Sequence, residues 1–135
     1  MVGILLISHS AQVAAGVLEI ARQMVGDEVP IAISGGNKAG GIGTDPDAIT
    51  IALTSLLNPD GVLVLADLGS AVMSAELVIE NIASDHQVVI ANAPLVEGAV
   101  LAAVEAAMGK KLDQVLIAAE SAYKMRKVER GDRSW

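Results

Sequence analysis

Short apolar runs alternate along this chain with segments that have the spacing of amphipathic helices. Four of the runs are uncharged and rich in branched residues, at positions 2–7, 29–33, 62–66 and 88–91. Uninterrupted runs of this length are typical of parallel strands that are buried on both faces. Because strands that alternate with helices connect by right-handed crossovers, the pattern predicts an α/β fold. We expect a three-layer sandwich whose mainly parallel sheet has the strand order 2-1-3-4.

The segments between the runs predict the helices. Apolar residues recur at helical spacing after the first strand, and Asp45 followed by Pro46 is typical of a capped helix start. The stretch from Ser34 to Thr44 has too many glycines for a regular element and is expected to form a loop. The helices are predicted at residues 11–25, from 46 onward, at about 71–83, at 94–108 and at 112–127.

Length and composition limit the class of protein. The 135 residues suffice for one hydrophobic core, so we expect a single domain over 1–135, with about 128–135 as a tail. The absence of cysteine excludes disulfides, thiolate catalysis and cysteine metal sites, and no metal is expected. No apolar stretch is long enough to span a bilayer or to form a secretory signal. The sequence therefore predicts a cytoplasmic protein with no membrane contact.

The net charge of -7 is unevenly distributed. Seven of the nine basic residues lie after position 109, whereas residues 1–109 carry twelve acids. An acidic body with almost no aromatic side chains argues against nucleic acid as a partner, because binding it needs a basic stripe and stacking groups. The basic C-terminal residues are interpreted as a solvated helix end.

The candidate chemistry lies where the first strand ends. His9, between Ser8 and Ser10, follows the first apolar run, and Asp67 follows the third. In the order 2-1-3-4 these strands are neighbours at the topological switch point, so both side chains are expected to face one crevice. A neutral imidazole attacks phosphorus through one ring nitrogen when the other carries the proton, and a carboxylate that accepts this proton fixes the tautomer. His9 is therefore the predicted nucleophile and Asp67 the residue that orients it.

A phosphoryl group on His9 would need hydrogen-bond donors around it. The predicted donors are the amides at the start of the first helix, the hydroxyl of Ser10, the Gly69-Ser70 turn and the glycine-rich loop that ends in Gly43-Thr44. With these donors in place, no basic residue is required nearby.

Simpler interpretations stay open for each of these residues. His9 can be a surface or capping histidine, and Asp67 can be the N-cap of the next helix. The segment 41–44 lacks the lysine of a Walker motif and follows the second strand, so its glycines can simply serve a flexible loop. His86 lies beside Asp85 before the fourth strand, away from the crevice, and is expected to be exposed and structural.

Several motifs taken together resemble one family. They are Ile7-Ser8-His9-Ser10, Ile42-Gly43-Thr44-Asp45, Asp67-Leu68-Gly69-Ser70-Ala71 with Met73-Ser74-Ala75-Glu76, and Ala93-Pro94-Leu95-Val96-Glu97-Gly98. This set is similar to the phosphotransfer subunits of bacterial dihydroxyacetone kinases, the DhaM family, which are relatives of the mannose-family IIA components of the sugar phosphotransferase system (PTS). The resemblance covers essentially the whole chain and implies the fold of a mannose-type EIIA domain.

The resemblance also implies roles and partners. His9 matches the phosphorylated histidine of the family, Asp67 matches the aspartate that orients it, and Thr44 and Ser70 match the loops that line the phosphoryl site. The implied phosphoryl donor is the carrier protein HPr, and the implied acceptor is ADP held in the nucleotide-binding kinase subunit DhaL, which then phosphorylates dihydroxyacetone. No bound cofactor is implied, because His9 carries the phosphoryl group covalently. A homodimer is implied, and this chain resembles the single-domain form rather than relatives with further carrier-like and enzyme-I-like domains.

Other classes of protein stay open as alternatives. A mannose-family IIA component of a sugar transporter would use the same histidine. A response-regulator receiver needs an acidic pair after the first strand, where this chain has serines around His9. A tetrapyrrole metal chelatase needs a second histidine in the crevice, and His86 is poorly placed for that. A non-catalytic binding module needs none of these polar groups, so phosphate uptake on His9 separates it from the favoured function.

Overall fold

The first strand, β1 (Gly3–Ser8), lies inside a four-stranded parallel sheet. The computed structural model of the protein describes residues 1–82 and 84–131. β1 pairs with β2 (Ile31–Gly35) on one side and with β3 (Val62–Ala66) on the other, and β3 also pairs with β4 (Val88–Ile90). The order β2-β1-β3-β4 and the parallel direction of every pair confirm the predicted sheet.

Helices cover both faces of the sheet. One face carries α1 (Ala11–Val25), α4 (Leu95–Ala107) and α5 (Leu112–Glu120), and the other carries α2 (Pro46–Leu56) and α3 (Gly69–Asn81). Alternate residues of β1 enter the two cores, with Ile4 and Leu6 on the first face and Leu5 and Ile7 on the second. This double cover makes all six positions of β1 buried and explains why its sequence shows no polar alternation.

Local capping chemistry sets the helix starts near the carboxyl edge of the sheet. Ser10 has extended backbone geometry, and its side chain accepts the Val13 N–H as the N-cap of α1. Asp45 does the same for α2, with Pro46 at the first helical position as predicted. The Ser10 cap thus starts α1 two residues after His9.

β2 begins two residues later than predicted and extends to Gly35. Pro30 has no N–H to give to the ladder, and regular pairing starts at Ile31 opposite Ile4. At its other end β2 passes against the turn that leads into α1, where a Cβ on Gly35 would lie 2.6 Å from the Ser10 carbonyl oxygen. Only glycine allows the two segments to approach so closely.

The predicted last helix over 112–127 is wrong in its second half. α5 ends at Glu120, and a short 3-10 helix follows over Ser121–Lys124. The Ser121 hydroxyl donates to the Ala118 carbonyl and tightens the turn, while Met125 and Val128 are more than half exposed and so give little packing to extend the helix.

The remaining helix bounds differ little from expectation. α3 begins at Gly69, two residues before the predicted start, and ends at Asn81; the predicted end at residue 83 lies outside the described residues. Of the predicted tail, residues 132–135 also lie outside them. None of the helices in the two described ranges has the length and hydropathy needed to cross a membrane.

Candidate functional site

His9 and Asp67 meet at the carboxyl edge of the sheet. His9 follows β1, Asp67 follows β3, and the last ladder pair between these strands joins Ile7 to Ala66. The His9 Nδ1 atom lies 2.9 Å from Asp67 Oδ1, and the His9 backbone N–H donates to Oδ2 at 3.0 Å. The two side chains are 16% and 21% exposed, so the pair is accessible but partly shielded from water. The strand order thus produces the contact predicted for these residues.

The contacts of the His9 ring define its tautomer. An ionised carboxylate only accepts hydrogen bonds, so the proton of the neutral ring lies on Nδ1 and is donated to Asp67. Nε2 is then an acceptor, and the Ser70 hydroxyl lies 2.5 Å from it and donates to it. The unprotonated ring nitrogen therefore faces the start of α3, where Ser70 lies.

The Asp67 carboxylate is held by four donors. Oδ1 accepts from His9 Nδ1 and from the Leu68 N–H at 2.7 Å, and Oδ2 accepts from the His9 N–H and from the Ser8 hydroxyl at 2.8 Å. Burial raises the pKa of this carboxyl, but the hydrogen bonds from His9, Ser8 and Leu68 outweigh burial and leave the pKa below its ordinary value. Asp67 is thus kept ionised, as the orienting role requires.

Asp67 is not the N-cap of the following helix, which was the alternative interpretation. The residue at the N-cap of α3 is Leu68, and α3 has no side-chain cap hydrogen bond. The bond from the Leu68 N–H joins neighbouring residues and satisfies no amide inside the helix. The side chain of Asp67 is turned toward His9 instead.

The end of the glycine-rich loop touches both His9 and α3. The Gly43 N–H donates to the His9 carbonyl oxygen at 2.9 Å. The next residue, Thr44, places its hydroxyl 3.0 Å from the hydroxyl of Ser74, and Ser74 also donates to the Ser70 carbonyl at 3.1 Å. The loop that sequence patterns left without a defined position is therefore fixed beside the candidate nucleophile.

The other predicted lining residues have different surroundings. The Ser10 hydroxyl is engaged as the cap of α1 through the Val13 N–H at 3.2 Å. Gly69 is the first residue of α3, and open space surrounds the position of its missing Cβ. His86 precedes β4 and is exposed, so it lies toward the amino edge of the sheet and away from His9, as predicted.

Sequence reasoning missed Ser8 and Ser74 as parts of the site. Ser8 ends β1, is buried, and donates to Asp67. A polar residue at the buried end of an apolar strand, directly before the histidine, is the signal that could have identified it. Ser74 lies one helical turn after Ser70, but its contact with Thr44 depends on the path of a loop that periodicity does not describe.

The chain is similar in sequence to one group of proteins. The EIIA-man family model, described as a PTS system fructose IIA component, matches residues 3–116. The phosphoryl donor subunit DhaM of PEP-dependent dihydroxyacetone kinase 2 from Listeria innocua is 36% identical over 118 residues, which are 86% of this chain and 94% of that protein. The DhaM phosphoryl donor subunits of Klebsiella michiganensis and Escherichia coli are 40% and 39% identical over 97% of this chain. The chain spans only 29% of the length of these two relatives.

Solved structures show the same fold. A crystal structure of a protein of unknown function aligns with a TM-score of 0.77 and 38% identity, covering 88% of this chain and 92% of that one. The phosphotransferase system component EIIA from Streptococcus agalactiae aligns with a TM-score of 0.68 and 16% identity, covering 92% of this chain and 93% of that one. At this lower identity the second alignment supports the fold alone.

Proposed function

The chain belongs to the EIIA-man family, and from this membership we propose that it is a phosphohistidine phosphotransfer protein of a PEP-dependent dihydroxyacetone kinase. One observation carries the proposal: Asp67 accepts a hydrogen bond from His9 Nδ1–H and so leaves Nε2 as an acceptor at the carboxyl edge of the sheet. The DhaM names of relatives that are 36–40% identical support the kinase context.

In the first transfer, His9 takes a phosphoryl group from a phosphohistidine on the donor protein, which we propose is HPr. The Nε2 lone pair forms the new bond to phosphorus, and the electron pair of the donor's P–N bond returns to the donor imidazole. For this attack the Ser70 hydroxyl must turn away from Nε2. Positive charge develops on the His9 ring as the bond forms, and the ionised Asp67 stabilises it through Nδ1–H.

The transferred group needs donors for its oxygens. We assign this lining to Ser70, Gly69, Gly43, Thr44 and Ser10. In the resting protein the Gly43 N–H and the Thr44 hydroxyl are bonded to His9 and Ser74, so we place the donors to the oxygens at the start of α3. The first amides of a helix have no partners inside the helix, and no side chain caps α3, so the Gly69 and Ser70 N–H groups favour an anion there. Once turned from Nε2, the Ser70 hydroxyl can donate to a phosphoryl oxygen. The chain needs no bound cofactor, because the phosphoryl group is carried on His9 itself.

In the second transfer, the group passes to ADP held in the kinase subunit DhaL. A terminal phosphate oxygen of ADP forms the new bond to phosphorus, the P–Nε2 bond breaks, and its electron pair returns to the His9 ring. The products are ATP in the partner subunit, which then phosphorylates dihydroxyacetone, and neutral His9 ready for another cycle. This chain thus acts as one subunit of a phosphoenolpyruvate-dependent phosphotransferase.

The experiment that tests the proposal follows the phosphoryl group by intact mass. The purified chain is incubated with phosphoenolpyruvate, enzyme I and HPr, and we expect the mass to increase by one phosphoryl group that is lost in acid. Addition of ADP-loaded DhaL should remove the group and produce ATP. Uptake that does not need HPr, or a modification that survives acid, would contradict a phosphohistidine intermediate.

The same experiment separates the sugar-transport alternative. A mannose-family IIA component would be phosphorylated by HPr but would not give its phosphoryl group to ADP on DhaL. The DhaM names of the relatives favour the kinase over the transporter. Retention of the phosphoryl group in the presence of ADP-loaded DhaL would favour the transporter.

We also propose that the protein is a homodimer. Apolar side chains such as Met108 and Ile117 are exposed near α4 and α5, on surfaces that a second copy could cover. Sedimentation at micromolar concentration should show two chains per particle. A monomer under these conditions would remove the dimer from the proposal and leave the phosphotransfer chemistry untouched.

A further inference from the structure

Ser8 is a polar residue at a position built for apolar ones. It ends β1, is 1% exposed, and is, with Ser34, one of two buried polar residues found in the described ranges. The ladder between β1 and β3 pairs Leu6 with Leu65 and Ile7 with Ala66, so the next pair in this register would join residues 8 and 67. The register therefore brings the Ser8 hydroxyl to the Asp67 carboxylate.

The direction of the Ser8 hydroxyl is fixed by its two partners. Its oxygen accepts the Ser10 N–H at 3.1 Å, and its proton is donated to Asp67 Oδ2 at 2.8 Å. A hydroxyl has one proton, and an ionised carboxylate can only accept, so the roles cannot be reversed. Ser8 thus connects the turn that carries His9 to the carboxylate that orients it.

Ser70, the other ring partner, does not choose between the two tautomers of His9. A hydroxyl can donate to an unprotonated Nε2 or accept from a protonated one. The choice therefore depends on Asp67, whose terminal torsion is intrinsically soft. Without Ser8, Oδ2 would keep only the His9 N–H as a donor. The carboxylate could then rotate more easily about the Cβ–Cγ bond of Asp67.

We infer that Ser8 is a positioning residue for the phosphotransfer, because its hydroxyl holds Asp67 in the orientation that keeps the proton on Nδ1 and leaves Nε2 as the nucleophile. This inference rests on the proposed function of His9. Ser8 is buried and its hydroxyl bonds Asp67 and the Ser10 N–H, so it should affect the rate of transfer within the complex and not the affinity for the donor protein.

The first test measures the tautomer without any phosphoryl donor. Long-range ¹H–¹⁵N spectra of the neutral His9 ring should show Nδ1 protonated in the wild type and an increased share of the Nε2-protonated form in Ser8→Ala. Ser34→Ala is the matched control, because it removes a buried hydroxyl from the neighbouring strand, opposite Ile7, that is not among the donors to Asp67. An unchanged tautomer in Ser8→Ala would overturn the positioning role.

The second test is rapid-quench phosphorylation by HPr. We expect kcat to be about three- to tenfold lower in Ser8→Ala, with KM for the donor unchanged, since one charge-assisted hydrogen bond to Asp67 is lost. Ser8→Thr keeps the hydroxyl and should restore most of the rate, and Ser34→Ala should behave as the wild type. A change in KM alone, or the same loss in Ser8→Thr as in Ser8→Ala, would contradict the inference.

The inference stays testable even if Ser8→Ala fails to fold. If Ser8→Ala is unfolded, Ser8→Cys retains a side chain of similar volume with a much weaker donor, and both measurements should show the tautomer change and the kcat loss. Failure of the wild type to take up phosphate would contradict the proposed function instead. An unchanged tautomer in a folded Ser8 variant would contradict the positioning role alone.

Discussion

The two histidines of the chain show that distance along the sequence is a poor guide to a functional pair. His86 has an aspartate, Asp85, as its direct neighbour, yet its side chain is exposed and its backbone N–H donates to the Ser84 hydroxyl at 3.0 Å. His9 has its carboxylate partner 58 residues away, and the two side chains lie 2.9 Å apart. The parallel sheet explains this difference. Adjacent parallel strands end at the same edge, so the residues that follow them lie in one crevice.

The surroundings of the two residues differ in the same way. At the carboxyl edge, His9 is enclosed by Asp67, Ser70 and the end of the glycine-rich loop. His86 comes before β4 and therefore lies toward the amino edge, within residues 84–87, which form neither helix nor strand. A second histidine is thus not brought to the His9 crevice, which a tetrapyrrole chelatase would have required.

The largest expected effect comes from removing each histidine in turn. His9→Ala should lower the rate of phosphoryl uptake from HPr by a factor of about 1,000 or more, because the nucleophile itself is lost. His86→Ala is the matched control and should be phosphorylated at the wild-type rate. Intact mass over time measures both, and uptake by a folded His9→Ala protein would mean that another residue carries the phosphoryl group.

The next effect in size comes from the two aspartates. Asp67→Asn should slow phosphorylation by about tenfold to a thousandfold, or roughly 1.4 to 4 kcal/mol of barrier, because the charge that supports the His9 ring is lost. An asparagine can also present its amide N–H to Nδ1 and favour the wrong tautomer. Asp85→Asn, next to His86, should leave the rate unchanged. Rapid-quench kinetics with both variants would contradict the orienting role if Asp67→Asn reacted like Asp85→Asn.

The same substitution also has a stability cost, and the structure shows that this cost does not come from the helix cap that the sequence left open as an alternative. As an N-cap, Asp67 would contribute about 1 kcal/mol, but Leu68 is the residue at that position. Asp67 instead accepts four hydrogen bonds in a partly buried place. We therefore expect Asp67→Asn to lower the free energy of unfolding by about 1 to 3 kcal/mol, which denaturant titration measures.

The sheet and its helices were predictable because burial on both faces is visible in the residues themselves. β1 and β3 have apolar side chains at nearly every position, and this pattern fits few elements other than a central parallel strand. The end of α5 was not predictable from spacing. Met125 and Val128 continue the apolar pattern, but each is more than half exposed in the folded protein, and periodicity carries no information about that.

The candidate site likewise contains residues whose contacts could be predicted from the sequence and residues whose contacts could not. Residues 9 and 67 follow strands whose order could be inferred, so their meeting could be inferred too. Ser8 belongs to the strand, and predicting its role needs the register of β1 against β3 as well as the order. The contact of Thr44 with Ser74 depends on the path of a glycine-rich loop, where backbone freedom is greatest and local sequence determines least.

A smaller effect is expected at the free ring nitrogen of His9. Ser70 donates to Nε2 in the resting protein and thereby occupies the lone pair that must attack phosphorus. Ser70→Ala should make His9 about two- to fivefold more reactive toward diethyl pyrocarbonate, which acylates unprotonated imidazole nitrogen, since one modest hydrogen bond is removed. His86 in the same sample is the internal control and should react at an unchanged rate. Peptide mapping resolves the two sites, and slower acylation of His9 would mean that Ser70 does not shield Nε2.

The smallest expected effect is on the pH dependence of stability. It shows whether burial or hydrogen bonding dominates the pKa of Asp67. Burial raises the pKa of this carboxyl and its hydrogen bonds lower it, with a net pKa below the ordinary value of 3.8. A carboxyl whose pKa is lowered by folding stabilises the protein above its unfolded pKa and loses that contribution as the pH falls through the folded value. The gap in unfolding free energy between wild type and Asp67→Asn should therefore be full at about pH 5 and shrink toward pH 3. The Glu97–Lys127 ion pair is present in both proteins and cancels in this difference. Urea titrations of both proteins across this range measure the gap. If burial dominated, the folded pKa would exceed the unfolded one, and the gap would grow as the pH falls.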